Sequence, residues 1–266
     1  MNTASDTNAP VLLHWWKGTP NFGDAINPLI VGHVSGRAVQ HAGPRASDLF
    51  AIGSMLQVVK RKFTEPREDK GPIHIWGTGL LHPVPGRQWI ENIAVSVVRG
   101  PVTAALLGLD MDRFGDPGLL IDAVVPKAAA SGRIGLVPHH RSLDFDDLAT
   151  LVASDPVYEL IDPRDDPVEV CARISACDHV FASSLHGLIV ADAYGVPNTW
   201  VHPASEGALK YLDYAASVGR RDMRTPIHWR CVPEQPKGTP IDYHEGIDTC
   251  RATLRTYFPA ALRGAA

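Results

Sequence analysis

The 266-residue sequence holds few cysteines, no long apolar run and no excess of basic charge. Its four cysteines, Cys171, Cys177, Cys231 and Cys250, form no C-x-x-C pair. That argues against a zinc ribbon, a thioredoxin-type site or a disulfide framework, and reduced thiols in a cytoplasmic protein are the expectation. No window approaches the ~20 apolar residues that a membrane-spanning helix needs. Residues 1–10 are polar, without a basic n-region or an apolar h-region, and read as a disordered leader rather than a secretory signal. The net charge of −4 gives no reason to expect nucleic acid as a partner. A content of 45% hydrophobic and 20% charged residues excludes bulk disorder, and 22 Pro with 23 Gly argue against coiled coils and long helical repeats. Phosphate-loop signatures are also missing. There is no G-K-[ST] and no G-x-G-x-x-G, only Gly77-Thr78-Gly79. Without a G-x-S-x-G elbow, a serine hydrolase is disfavoured.

What is present is a rhythm of short apolar runs alternating with helical periods. Strands are expected over Val11 to Trp16, Leu49 to Ile52, Ile73 to Trp76 and Ile93 to Val98, the last buried on both faces. Asp24 is placed to cap a helix carrying Ile26, Leu29, Ile30 and Val34, and Pro101 opens a helix reaching Leu107. Val124 to Gly132 is rich in small residues and reads as a linker. Beyond it the rhythm restarts, with strands at Ile134 to Val137, Tyr158 to Ile161, His179 to Ala182 and Asn198 to Val201. Helices are expected over Leu143 to Ser154, Pro167 to Cys177 and Ser184 to Tyr194, and Gly246 to Leu262 is mostly helical. Such alternation is the signature of parallel α/β units. Two blocks about a linker predict Rossmann-like halves over residues 11–125 and 133–245, with a C-terminal helix over 246–266 that packs back on the first half.

Ligands of open parallel sheets bind beyond the carboxyl ends of the strands, so the loops there carry the candidates. In Ser183-Ser184-Leu185-His186-Gly187 a serine can cap the following helix, whose first turn favours an anion. The plain alternative is a capped helix with a structural histidine. Gly187 tilts the balance, because a mid-helix glycine costs ~1 kcal/mol unless a ligand or strand comes close. Asn21-Phe22-Gly23-Asp24 is either a turn or a loop that admits substrate to the backbone at Gly23. His139-His140-Arg141 follows a strand and suits anion binding or acid–base work. No third ligand stands at metal-binding spacing, so no metal is expected. Arg99 sits unfavourably at a helix start, which calls for a nearby anion. Gly115-Asp116-Pro117-Gly118 reads as a turn, and Trp15-Trp16 as core or cleft wall rather than a sugar-stacking platform.

Eight stretches occur in one order: Asn21-Phe22-Gly23-Asp24, Trp76-Gly77-Thr78-Gly79, Val98-Arg99-Gly100-Pro101-Val102-Thr103, Gly115-Asp116-Pro117-Gly118-Leu119-Leu120, Val137-Pro138-His139, Ser183-Ser184-Leu185-His186-Gly187-Leu188-Ile189, Ala193-Tyr194-Gly195-Val196-Pro197 and Lys210-Tyr211-Leu212-Asp213-Tyr214. Together, over roughly residues 11 to 220, they resemble the polysaccharide pyruvyl transferase family, in particular its exopolysaccharide ketal pyruvate transferase branch.

The resemblance implies a GT-B-like α/β architecture, two Rossmann-like domains facing across a cleft. It implies phosphoenolpyruvate as donor substrate, no further cofactor, and a sugar diol as acceptor, free or lipid-linked. The product is a cyclic pyruvate ketal, with phosphate released. A lipid-linked acceptor places the chain peripherally at the inner face of the cytoplasmic membrane. Many members carry Arg-Leu-His at the second-domain helix; here Ser184-Leu185-His186 stands instead, so the donor's cation must come from elsewhere. Arg99, Arg141 and Lys210 are the candidates, with Asn21, Gly23, Ser183 and Ser184 completing the donor site. His186 and His139 are the acid–base candidates, and Asp24 the carboxylate that orients or deprotonates an acceptor hydroxyl. Two other readings share the fold: a glycosyltransferase using a nucleotide sugar, and a non-catalytic binding module.

Overall fold

The computed structural model describes residues 9–203, 207–223 and 225–265. The expected leader, residues 1–10, lies outside the described residues except for Ala9 and Pro10. Strands β1 (Val11–His14), β2 (Val39–His41), β3 (Leu49–Phe50), β4 (Ile73–Trp76) and β5 (Ile93–Val97) form one sheet in the order β2-β1-β3-β4-β5. Every pairing is parallel. Helices α1 (Phe22–Ala25), α2 (Asn27–Ser35), α3 (Leu56–Lys62) and α4 (Pro101–Leu107) connect and follow these strands. A second parallel sheet holds β6 (Ile134–Val137), β7 (Tyr158–Leu160), β8 (His179–Ala182) and β9 (Asn198–Trp200), in the order β7-β6-β8-β9. With it come α5 (Asp146–Ser154), α6 (Pro167–Ala176), α7 (Leu185–Ala193), α8 (Leu209–Val218) and α9 (His244–Thr256).

The fold class is thus α/β with parallel sheets, as the alternating pattern predicts. Each sheet reverses its strand order once, between β1 and β3 in the first and between β6 and β8 in the second. At such a switch point neighbouring loops leave in opposite directions and open a crevice at the carboxyl edge.

The two sheets are joined by packed elements. α7 is buried at all nine positions, as a helix apolar on every side must be. Its residues share one continuous core with Val11, Leu13, Ile30, Leu119 and Leu120 of the first half. The 3-10 turn Pro117–Ala123 is buried over its first five residues, packs against α7 and α2, and anchors this seam. α9 lies against α8 and the same turn. There the indole N–H of Trp76 donates to the Leu254 carbonyl (3.0 Å), and Trp76 meets Phe258 edge-on.

Several local expectations need correction. Asp24 does not cap α2. It lies inside α1, a single turn capped by Asn21, and α2 starts with Pro28 in its first turn and no side-chain cap. β5 is an edge strand, half-buried at its centre, rather than buried on both faces. Trp16 is 53% exposed, so it does not belong to the core.

Candidate functional site

The loops leaving both switch points meet in one cavity of about 150 Å³. From the first half, Asn21 and Asp24 follow β1, Gly53 and Ser54 follow β3, and Leu81 follows β4. From the second half, His139 and His140 follow β6, while Ser184, Leu185 and His186 follow β8. Lys210, on the first turn of α8, completes the lining.

His186 enters on the first turn of α7, whose Ser184 cap accepts from the Gly187 N–H (3.3 Å). The imidazole is nearly buried. Burial, reinforced by Lys210 and Arg99, lowers its pKa to about 3, so the ring is neutral at physiological pH. Its Nε2 turns inward, without a hydrogen-bond partner, to 3.9 Å from Oδ2 of the fully buried Asp116. That distance alone would read as an ion pair. The neutral ring makes it instead a carboxylate facing an uncharged imidazole.

The glycines of the motifs serve this packing. A Cβ on Gly23 would lie 2.1 Å from Nδ1 of His186, so it is the histidine ring, rather than substrate, that approaches the backbone there. A Cβ on Gly187 would meet Val137 and Ala182 at 2.9 and 3.0 Å. A strand, rather than a ligand, accounts for that mid-helix glycine.

Asp24 is bound by the Asn21 side-chain amide (2.8 Å). Burial raises its pKa to about 6, against the opposing pull of Asn21 and Lys210. His139 is held by its backbone N–H, which donates to the Ser183 hydroxyl (2.8 Å), and its ring packs on His140 with centroids 4.2 Å apart. Ser183 itself stands behind the lining and takes the Tyr211 hydroxyl on its carbonyl (2.7 Å).

The three cation candidates part company. Lys210 is buried at the cavity. Arg141 is exposed and outside the lining. Arg99 is fully buried behind the wall, bonded to Asp213 (3.1 Å), the Ser54 hydroxyl (2.9 Å) and the Leu80 carbonyl (2.6 Å). Asp213 is the anion that the position of Arg99 called for. Its carboxylate also takes the Thr103 N–H and hydroxyl (2.8 and 2.7 Å), capping α4 from another helix.

Sequence reasoning missed Asp116, Asp213 and Ser54 as members of this cluster. The signal for Asp116 was a carboxylate between Gly115 and Pro117, set aside as a turn residue. Among the described residues no group of three or more His, Cys, Asp or Glu side chains is placed to share a metal ion. Nor is any helix among them long and apolar enough to cross a membrane.

A model of the polysaccharide pyruvyl transferase family matches residues 12–203, well over half of the chain. The chain belongs to the polysaccharide pyruvyl transferase family. The match contains every cavity-lining residue except Lys210. Two curated proteins are similar over shorter stretches. Uncharacterized protein L143 of Acanthamoeba polyphaga mimivirus is 30% identical over 158 residues, 54% of each chain. The succinoglycan biosynthesis protein ExoV of Rhizobium meliloti (strain 1021) is 32% identical over 140 residues, 50% of this chain and 44% of that protein. The alignments thus span about half the length of these relatives.

Proposed function

We propose that the chain transfers pyruvate from phosphoenolpyruvate to a sugar diol of an exopolysaccharide or its lipid-linked precursor, forming a cyclic ketal and releasing phosphate. One observation carries the reading: loops from both switch points converge on a small cavity that combines a buried lysine, a helix N-terminus, two histidines and a carboxylate. Family membership and the similarity to a succinoglycan biosynthesis protein support it. So does the cavity's size. Pockets for drug-sized ligands run to ~300–1,000 Å³, whereas about 150 Å³ suits a three-carbon donor better than a nucleotide sugar. In this reading the arrangement is GT-B-like, with Rossmann-like domains over residues 11–125 and 133–245. The chain works in the cytoplasm, at the membrane face when its acceptor is lipid-linked.

The donor's phosphate and carboxylate are met by Lys210 and by the N–H groups opening α7, where charge-assisted bonds are strongest. Protonation of the donor's methylene carbon creates an oxocarbenium-like centre at C2. One acceptor hydroxyl adds there and loses its proton. Phosphate then leaves with the electrons of its C–O bond, which restores the oxocarbenium centre. The second hydroxyl adds there and gives up its proton, through the base, to the departing phosphate. The acid and base for these steps are His186 and His139, while Asp24 orients or deprotonates an acceptor hydroxyl.

The test is a calorimetric titration with phosphoenolpyruvate against a panel of nucleotide sugars, followed by assay for phosphate release that depends on an acceptor glycan. Phosphoenolpyruvate binding with acceptor-dependent release is expected. Tight binding of a nucleotide sugar and none of phosphoenolpyruvate would overturn the reading.

A further inference from the structure

We infer that Asp116 is a positioning residue for His186, holding the imidazole proton on Nε2 and leaving Nδ1 as the lone-pair nitrogen. Its catalytic consequence rests on the pyruvyl-transfer reading, but its geometry does not.

Asp116 Oδ2 and His186 Nε2 are both buried and both without a hydrogen-bond partner, and they face each other at 3.9 Å. Buried polar atoms left in this state are disfavoured unless they satisfy one another. The neutral imidazole has one donor nitrogen and one acceptor nitrogen. Burial raises the pKa of the Asp116 carboxyl to about 6, so above that pH it is ionised and only accepts, and the nitrogen turned toward it is the one that carries hydrogen.

The rest of the site fixes both partners for this role. Asp116 Oδ1 takes the Gly118 N–H at 2.9 Å, which anchors the carboxylate and aims Oδ2 at the ring. The 3-10 turn passes close under the imidazole: a Cβ on Gly118 would lie 3.8 Å from His186 Cδ2. On its Nδ1 side the ring rests against Gly23, in the turn whose Asn21 and Asp24 line the cavity. Nδ1 is the ring nitrogen nearest that turn; in this inference its lone pair is the one a substrate proton reaches, and Asp116 stabilises the imidazolium that forms when Nδ1 takes that proton. A separation of 3.9 Å is longer than a formed bond. Catalytic contacts of this kind shorten when the site is occupied. If Asp116 only capped the 3-10 turn, Oδ1 would suffice and Oδ2 would have no reason to meet an orphaned nitrogen.

The test is nitrogen NMR of histidine-labelled protein, wild type and Asp116→Asn. In the variant the amide oxygen can keep the Gly118 bond while the NH2 points at Nε2, which must then accept. The proton is expected on Nε2 in the wild type and on Nδ1 in Asp116→Asn. Phosphoenolpyruvate affinity should stay within ~3-fold while turnover falls at least ~100-fold, the usual scale of acid–base assistance. In a His186→Ala background, Asp116→Asn should add almost nothing, since residues acting as a unit are not additive.

A wild-type proton on Nδ1 would overturn the inference without any variant. So would an undiminished effect of Asp116→Asn in the His186→Ala background. If the wild type transfers no pyruvyl group, the functional reading falls, and the tautomer still decides the role of Asp116.

Discussion

Gly23 is the surface on which the His186 ring rests, although the two residues come from opposite halves of the chain. Any Cβ at position 23 would fall 2.1 Å from Nδ1 and 2.4 Å from Cγ of that ring. Gly23→Ala should therefore displace the histidine rather than abolish the fold. Overpacking of this kind costs ~1–3 kcal/mol, and a catalytic group moved by ~1 Å loses ~100-fold in rate. The expected outcome is a folded variant with slightly lower melting temperature and turnover reduced about as much as in His186→Ala, read by calorimetry and phosphate release.

Asp24 lines the cavity at a stability cost. Its folded pKa of about 6 stands above its ordinary value of 3.8, so the folded state holds more protons than the unfolded chain between those values. Its contribution is then most favourable at pH ~4 and below, and is lost as pH rises through about 6. Asp24→Asn should raise stability at pH ~7–8 by up to ~3 kcal/mol, the equivalent of a two-unit shift, and bring no gain at pH ~4. Urea titrations at the two pH values check this. On the role proposed for Asp24, the same variant should be nearly inactive, since only the ionised carboxylate would orient or deprotonate a hydroxyl.

His186 acts in the opposite sense. Its folded pKa of about 3 lies below its ordinary 6.5. The unfolded chain takes up the proton first, so stability present above pH ~6.5 is lost as pH falls toward 3. His186→Gln, which cannot titrate, should lose less stability than the wild type over that window, measured by denaturant midpoints at stepped pH.

Arg141 stands ahead of Lys210 among the cation candidates of the sequence, and burial reverses that order. Hydrogen bonds to charged groups contribute ~1.5–3 kcal/mol, so Lys210→Met should weaken phosphoenolpyruvate binding by ~10–100-fold. Arg141→Met, an exposed change, should alter it by ~2-fold or less. Titration calorimetry on the two variants is the check.

The parallel strands were legible because burial on both faces leaves continuous apolar runs. β4, β6 and β8 occupy the residues their runs predict. β2 (Val39–His41) was not, since an edge strand with two exposed residues of three carries no pattern. α3 (Leu56–Lys62) ends in Lys60, Arg61 and Lys62 and shows little periodicity over seven residues. At the site, the loops after strands were readable from the carboxyl-end rule. Which partner each loop residue meets was not, because Arg99 and Asp213 lie 114 positions apart. The charge of Arg99 at a helix start announced an anion but not its address. Gly187 is legible as close approach of a ligand or strand, whereas Gly23 reads only as a turn or a loop that admits substrate. Each glycine marks a close approach, and only three dimensions show that a histidine, a strand or Asp213 makes it, as when a Cβ on Gly100 would meet the Asp213 carbonyl at 2.0 Å.

The Arg99–Asp213 pair is fully buried on both sides. Removing one member of such a pair costs ~3–5 kcal/mol, because the other charge is left uncompensated. Asp213→Ala should do so and also release the cap of α4, giving a large fall in the urea midpoint. Arg99→Ala should be comparably destabilising, and the double variant should lose less than the sum of the two.

The most direct test of pyruvyl transfer follows the C2 carbon of phosphoenolpyruvate. Donor labelled at C2 is incubated with the protein and an exopolysaccharide acceptor, and the carbon is followed by NMR. Transfer at this cavity predicts that the label becomes a ketal carbon on the glycan with one phosphate released per ketal, and that His186→Ala suppresses both. Label that stays in phosphoenolpyruvate, or ends only as free pyruvate whether or not the glycan is present, would contradict it.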